Sequence, residues 1–337
     1  MKRVLVAWVA VVALVAPVWA QPKTVRFSYS NGWDAIPAVV AIEKGFLAEQ
    51  GLVVAGLAIS SGRTILQSLT DGTTDFAIVP NRTLILVGAL RLPLKVIAVS
   101  GWGTETEIVV PAESKAKSLA DLKGKTIGLG VSTEAFPLFI RFADQYKLKP
   151  KDFTIKNLDS GEIMQALDTA ACTQVKKPTR EGKQVDICTD AIIASRHFTS
   201  RLVGSGKARV LHSYADISKA TGVRNAGALL TRNTLIDTER DTVQKFANGW
   251  IKALQYTEKN PQEVVSLMRV FFARQGTQVP KDLAELWVKL EKFDRTAWTE
   301  ADTKDTENNA AALQQVGILR EIPKVANIVD GRFVAVR

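Results

Sequence analysis

The stretch WDAIPAVVAIEKGFLAEQGL, residues 33–52, sets a polar Trp-Asp turn ahead of an apolar run and then two glycines six positions apart. The run over residues 35–44 predicts a helix that starts directly after the strand-like VRFSYS of residues 25–30. Lys44 suits the negative end of that helix, and Gly45 is placed to end it in a left-handed cap closed by Phe46. Gly51 stops the next turn and aims the chain into LVVAGLAIS, residues 52–60. The two stops therefore return the chain to a sheet. A helix that begins at a strand end points its free N–H groups beyond the sheet, an anion-friendly arrangement, so the turn at residues 31–34 is where chemistry is expected.

The alternation continues outward from this stretch. Helices are predicted from about residues 64 and 83, with strands DFAIV (75–79) and LKVIAVS (94–100) between and after them. Such βαβ alternation predicts a parallel sheet flanked by helices, with ligands gathering beyond the carboxyl ends of its strands. The loops at 30–34, 60–64, 80–83 and 100–103 are the candidates. A second unit begins after Pro111. In SLADLKGKTIGLG (118–130), Ser118 and Asp121 form a capped turn, Gly124 stops it, and a strand follows. A helix over 138–146, strand DFTIKNL, a helix over 163–167 and strand VDICT (185–189) repeat the pattern, with a polar, basic insertion TAACTQVKKPTREGKQ (169–184) ahead of the last strand. From about residue 222 the chain reads as mostly helical, with Asn260-Pro261 stopping one helix and starting another.

The first twenty residues predict export. Lys2 and Arg3 precede an apolar run over residues 4–16 that is too short to span a membrane and is broken by Pro17, and Val18-Trp19-Ala20 supplies a cleavage site after Ala20. No Cys lies nearby to carry a lipid, so a free periplasmic protein is expected. Removing 20 of 337 residues leaves 317, enough for two lobes with separate cores. The formal charge of +10 falls to +8 when Lys2 and Arg3 leave, and the basic residues are scattered rather than massed. Scattered charge on an exported protein argues against a nucleic-acid partner and fits anionic solutes or membrane surfaces better. Cys172 and Cys188 are the only cysteines; in an oxidising compartment a disulfide between them is the first reading, contributing ~3 kcal/mol by closing the insertion, with two buried thiols as the alternative.

Catalytic signatures fail on inspection. Gly124-Lys125-Thr126 lacks the earlier P-loop glycine, that position being Leu119, and Gly128-Leu129-Gly130 is followed by Thr133 where a dinucleotide fingerprint needs glycine. Gly204-Ser205-Gly206 lacks nucleophile-elbow spacing. Two histidines, His197 and His212, offer no metal-binding pair. No metal, cofactor or catalytic residue is expected.

Three segments in order, AIEKGFLAEQGL (41–52), LQSLTDGTTDFAIV (66–79) and SLADLKGKTIGLG with the Lys117 before it, resemble the periplasmic substrate-binding proteins of ABC transporters for nitrate, taurine, aliphatic sulfonates and thiamine-pyrimidine precursors. The likeness runs from about residue 24 to 272. It implies an α/β type II periplasmic-binding fold: two α/β lobes, a hinge of two crossovers, and a ligand enclosed between the lobes. Residues 21–110 with 218–337 would form the first lobe and 111–217 the second. Two departures stand out. The insertion replaces a direct run into a VDA-type strand, and VDICTDAIIASRHF lacks the family's aromatic-acid-proline turn. Some relatives make thiamine pyrimidine with an active-site histidine near the first helix; SNGWDAIPAVVA has none.

The resemblance implies a monomeric binding protein that closes on a small-molecule ligand, anionic in character, and docks on an inner-membrane ABC permease. A sensor using the same clamshell is the alternative, and a thiamine-pyrimidine binding protein or enzyme is a further one. On the first lobe the loop positions select Asn31, Trp33, Ser60, Ser61, Arg63, Asn81 and Trp102 as ligand contacts; on the second, Ser132 and Thr133 at a helix start and Asp190 near a strand end. Arg63 is singled out because Gly62 lets the backbone approach a ligand and a guanidinium there would hold a carboxylate or sulfonate through two parallel hydrogen bonds. The alternative for Asn81 is that Asn81-Arg82-Thr83 is only a capped helix start with Arg82 in solvent.

Overall fold

The computed structural model describes residues 21–30, 32–59, 62–103, 106–131, 133–158, 162–163, 175–178, 184–187 and 189–334. The expected signal peptide, the Cys172–Cys188 disulfide, and Asn31, Ser60, Ser61 and Ser132 lie outside these residues.

The opening stretch folds as its pattern dictates. Strand β1 (Lys23–Tyr29) leads through a 3₁₀ turn at Trp33–Ala35 into helix α1 (Ile36–Glu43). Pro37 sits in the first turn, where its missing N–H costs nothing. Six successive residues from Ile36 to Ala41 are buried, so α1 has no solvated face. The reason is that α1 lies beneath two later helices, α8 (Arg240–Lys259) and α9 (Pro261–Arg274). Gly45 and Gly51 have φ of 71° and 74°, the left-handed region that a Cβ disfavours, and between them a 3₁₀ turn at Ala48–Gln50 delivers the chain to β2 (Leu52–Ala58). Lys44 is held outside by Glu263 of α9 at 2.9 Å and by the Tyr256 ring of α8.

Helix α2 (Gly62–Thr70), strand β3 (Phe76–Pro80), helix α3 (Asn81–Ala89) and strand β4 (Leu94–Gly101) complete the first unit. The chain then crosses to β5 (Thr106–Pro111), β6 (Thr126–Leu129), α4 (Ala135–Gln145) and β7 (Thr154–Asn157). Strands β8 (Val175–Pro178) and β9 (Gln184–Ile187) pair antiparallel as a separate ribbon. Strand β10 (Ala191–Ser195), helix α5 (Arg196–Gly204), β11 (Ala208–His212) and α6 (Tyr214–Thr221) follow, and the chain returns as β12 (Gly227–Arg232). Helices α7 (Asn233–Thr238), α8, α9, α10 (Lys281–Leu290) and α11 (Glu300–Gln315) form the tail.

Two five-stranded sheets result, ordered β2-β1-β3-β12-β4 and β11-β5-β10-β6-β7. Each is mixed, not parallel: β12 runs antiparallel to both β3 and β4, and β5 runs antiparallel to both β10 and β11. These are the strands entered as the chain passes from one sheet to the other. The chain after residue 222 is mostly helical as expected, and GALLTR at its start is β12; its buried Ala228, Leu229, Leu230 and Thr231 give an unbroken run with no alternation to mark a strand. A second expectation changes here. VDICT is not the sheet strand, because residues 185–187 belong to the ribbon and AIIAS (191–195) takes the place in the second sheet.

The first sheet packs its core around Phe27, Phe76, Phe246 and Trp250, with Phe76 and Phe246 stacked at 3.8 Å. A second core lies on β5, β6, β10 and α4. Helix α11, within the tail assigned by sequence to the first lobe, puts Ala310, Ala312 and Leu313 into this second core and also contacts α3.

Candidate functional site

The carboxyl ends of β1, β3, β4, β6 and β10 and the start of β12 converge on a cavity of about 720 Å³. Helices α2, α3, α4 and α5 begin at its wall. Both sheets contribute. Ser30, Trp33, Asp34, Arg63, Asn81 and Arg82 come from the first unit, and Thr133, Glu134, Ser195 and Phe198 from the second.

Trp33 follows β1 and stacks on His197 of α5 with ring centres 4.2 Å apart and planes 14° apart, while Phe198 meets its edge. The histidine is itself fixed: Nδ1 lies 2.5 Å from Ser195 Oγ, and Nε2 is buried without a partner among the described residues. Burial pushes its pKa from 6.5 down to about 3, keeping the ring neutral and suited to stacking.

Arg63, in the first turn of α2, is exposed on the cavity wall and forms no ion pair among the described residues. Gly62 beside it packs on Thr83, whose Oγ1 would stand 2.9 Å from an added Cβ. Thr133 lines the cavity, but its hydroxyl donates to the Gly130 carbonyl at 2.8 Å and accepts from the Ala135 amide at 3.2 Å, shaping the entry to α4. Asn81 is buried, and its Nδ2 is 3.5 Å from Asp305 Oδ2 on α11.

Two expected residues stand elsewhere. Trp102, one residue past β4, pairs with Lys292 and donates from Nε1 to Asp294 at 2.7 Å. Its ring is faced by Arg224, Lys292 and Arg295 at 4.7–5.3 Å beside a separate cavity of about 780 Å³. The extension of pairing beyond β4 turns it away from the first cavity. Asp190 precedes β10 and accepts from the Thr126 amide at 2.8 Å, at the start of parallel β6. Because the sheet strand begins at Ala191 and not earlier, Asp190 marks its amino end, far from the carboxyl end that opens on the cavity.

Charged groups outside the expected contacts also line the cavity. Asp34 accepts a short hydrogen bond from Ser30, and burial pushes its carboxyl up. Glu134, preceding α4, is pushed up by burial and further by the charge of Asp34, with Arg82 opposing. Arg82 is not in solvent. Burial pushes its guanidinium down, Glu134 opposes that, and its Nη2 crosses the cavity to donate to the Val131 carbonyl at 3.1 Å. Glu291 completes the charged lining. The signal for Asp34 was present in the Trp-Asp turn; nothing in the sequence marked Glu134. Among the described residues no group of three His, Cys, Asp or Glu is arranged to hold a metal.

The NMT1/THI5 like family pattern matches residues 33–264, more than two thirds of the chain. The chain belongs to that family. A Brucella abortus protein, described in general terms as a binding protein, is 29% identical over 147 residues, 42% of this chain and 44% of its own length. The matched stretch thus spans under half of that relative. Among solved structures, the alkanesulfonate-binding protein SsuA of Xanthomonas axonopodis pv. citri superposes with a TM-score of 0.70 at 18% identity, covering 93% of this chain and 99% of its own. The desulfurization enzyme DszB superposes at 0.63 with 16% identity, covering 93% and 97%. At these identities the likeness establishes a shared fold, that of the periplasmic binding proteins, which serves binding and catalysis alike.

Proposed function

We propose that this protein is the exported solute-binding component of an ABC importer, taking a small organic acid into the cavity between its two sheets and presenting it to an inner-membrane permease. The observation that carries this reading is the cavity itself, walled by both α/β units and by helix N-termini, in a chain of the NMT1/THI5-like family. Among the described residues two segments connect the sheets around it, between β4 and β5 and between α6 and β12, which suits lobe closure about a hinge. Arg63, Trp33 and the helix N-termini are the anion-side contacts in this reading, and a cleaved leader delivers the protein to the periplasm. No helix among the described residues is long and apolar enough to cross a membrane.

The test is a thermal-shift and calorimetric panel of alkanesulfonates, aminosulfonates and carboxylates. A true ligand at 100 times its Kd adds ~2.7 kcal/mol of stability and is recovered chemically unchanged. A panel in which nothing binds overturns the organic-acid reading, and turnover of a bound member replaces binding with catalysis. Loss of uptake of the bound solute in cells lacking the protein supports import; unchanged uptake counts against it.

A further inference from the structure

We infer that the cavity of about 780 Å³ beside Trp102 is a second binding site, separate from the inter-sheet cavity, and that it takes a multiply charged oxyanion, a phosphate or pyrophosphate group. This goes beyond the solute-binding reading and does not depend on it.

The site lies where the chain passes between its sheets. Trp102 and Gly103 reach it from the β4–β5 connection, and Arg224 from the α6–β12 connection. The two connections are joined there, the Gly103 amide donating to the Arg224 carbonyl at 3.0 Å. The end of α10, the residues just after it and α11 supply more of the wall.

Charge sets this cavity apart. Lys289 of α10, Lys292 just beyond it and Lys304 of α11 all line it, are exposed, and form no ion pair among the described residues. Arg224 adds a guanidinium, answered by Asp302 at 3.0 Å. Asp305 is the one acid among the described lining residues, and both of its oxygens are taken, by Arg141 and by the Arg224 and Asn225 amides. Glu291 and Asp294 flank Lys292 in sequence, but Glu291 lines the inter-sheet cavity and Asp294 accepts from Trp102 Nε1 at 2.7 Å. Trp102 gathers cations without cancelling them. Its ring centre lies 4.7 Å from Lys292 Nζ and 4.8 Å from the Arg224 guanidinium carbon, and an aromatic face attracts such groups while carrying no net charge. A concave wall of one sign focuses its field on the space it encloses and concentrates counter-ions there.

The donors narrow the ligand. A lysine ammonium offers three N–H groups from a compact charge, without the fixed fork that matches a guanidinium to a planar carboxylate. Lys289, Lys292 and Lys304 together therefore suit a group with several oxygens and at least two negative charges, which a phosphate supplies. Asn308 of α11 lines the same wall, and its side chain makes no hydrogen bond among the described residues, so its amide is available as a further donor.

The experiment is calorimetry with inorganic pyrophosphate on the full exported protein at pH 7 and fixed ionic strength. Wild type is expected to bind saturably. Replacing Lys289 and Lys304 together by Gln is expected to raise Kd about ten-fold or more, roughly 1.4 kcal/mol by the usual conversion. The control replaces Lys115 and Lys117, exposed and outside the cavity lining, by Gln, and is expected to change Kd less than about two-fold. Both double variants remove the same charge, so an equal loss in the two reports net charge alone and overturns the site. Absence of saturable binding overturns it as well. A loss on Arg63→Ala with the Lys289 and Lys304 variant unaffected places the anion in the inter-sheet cavity and overturns it too. Thermal melting checks folding. Should a double variant not fold, Lys304→Gln decides against Lys115→Gln, with a rise in Kd of about three-fold expected for the first and none for the second.

Discussion

Arg141 Nη1 of α4 lies 2.6 Å from Asp305 Oδ1 of α11, in an ion pair whose side chains are 10% and 1% exposed. Arg141 also donates to Asn309 and to the Thr221 carbonyl. The second Asp305 oxygen accepts from the Arg224 and Asn225 amides at 3.0 and 3.2 Å. One carboxylate therefore ties α4 of the second unit, the chain returning to the first sheet, and α11. Neighbouring Asp302 adds Arg224 Nε at 3.0 Å and Arg295.

Removing one partner of such a pair strands the other in a dry site. Asp305→Ala is expected to destabilise the fold by ~3–5 kcal/mol, measured by denaturant unfolding. The same loss on Arg63→Ala would contradict this ranking, since Arg63 is exposed and unpaired among the described residues.

The glycines give a second expectation. Gly249 in α8 faces the turn after α1 so closely that an added Cβ would stand 2.8 Å from the Phe46 carbonyl oxygen and 2.8 Å from Leu47. Backbone cannot yield as a side chain tip does. Gly249→Ala should therefore cost ~1–3 kcal/mol despite its better helix propensity, whereas Gly204→Ala in α5, with no neighbour within 4 Å, should not destabilise. Equal midpoints for the two variants would refute the close approach.

The same contact shows how far the sequence could be read. Gly45 and Gly51 were legible because helix caps are local chemistry, and the βαβ alternation followed from hydrophobic runs. Gly249 was not legible, since its constraint comes from a turn two hundred residues away. The mixed sheets were hidden likewise: β12 is buried on both faces, so its run of Ala, Leu and Leu carries no strand period. At the site, strand ends pointed to Trp33, Arg63, Asn81 and Thr133. Loops were expected to bear ligand contacts, but Trp102 turns into its own pairing with Lys292, and a shifted strand start moves Asp190 to the wrong end. Glu134 emerged only when the fold set α4 across from the Trp-Asp turn.

His197 makes stability depend on pH. Its side chain is neutral in the folded protein down to about pH 3, while the unfolded chain takes up a proton near 6.5. The unfolded state thus binds more protons between those values, and stability falls as pH falls, approaching ~1.4 kcal/mol per pH unit at the steepest. Asp34 and Glu134, with pKa values raised by burial, act with the opposite sign. The clean measurement is the difference between wild type and His197→Gln in unfolding free energy from pH 7 to pH 4. It should shift steadily in the variant's favour on acidification, and a difference independent of pH would show that His197 is protonated alike in both states.

Arg63 offers the sharpest test of the cavity's acid-binding side. It sits at the start of α2, where the helix N-terminus adds partial positive charge, and lines the cavity opposite no carboxylate that satisfies it among the described residues. Arg82 differs, being committed to the Val131 carbonyl and to Glu134. A ligand acid group enclosed against Arg63 would lose ~2–5 kcal/mol on truncation to alanine, about 30-fold or more in Kd. An arginine that stays in solvent would change affinity less than about three-fold by the same conversion. Calorimetry on Arg63→Ala with the identified ligand separates these outcomes, and Arg63→Lys sharpens the reading. Lysine restores the charge but not the two parallel donors, so recovery of only part of the affinity is the expected signature of a bidentate contact.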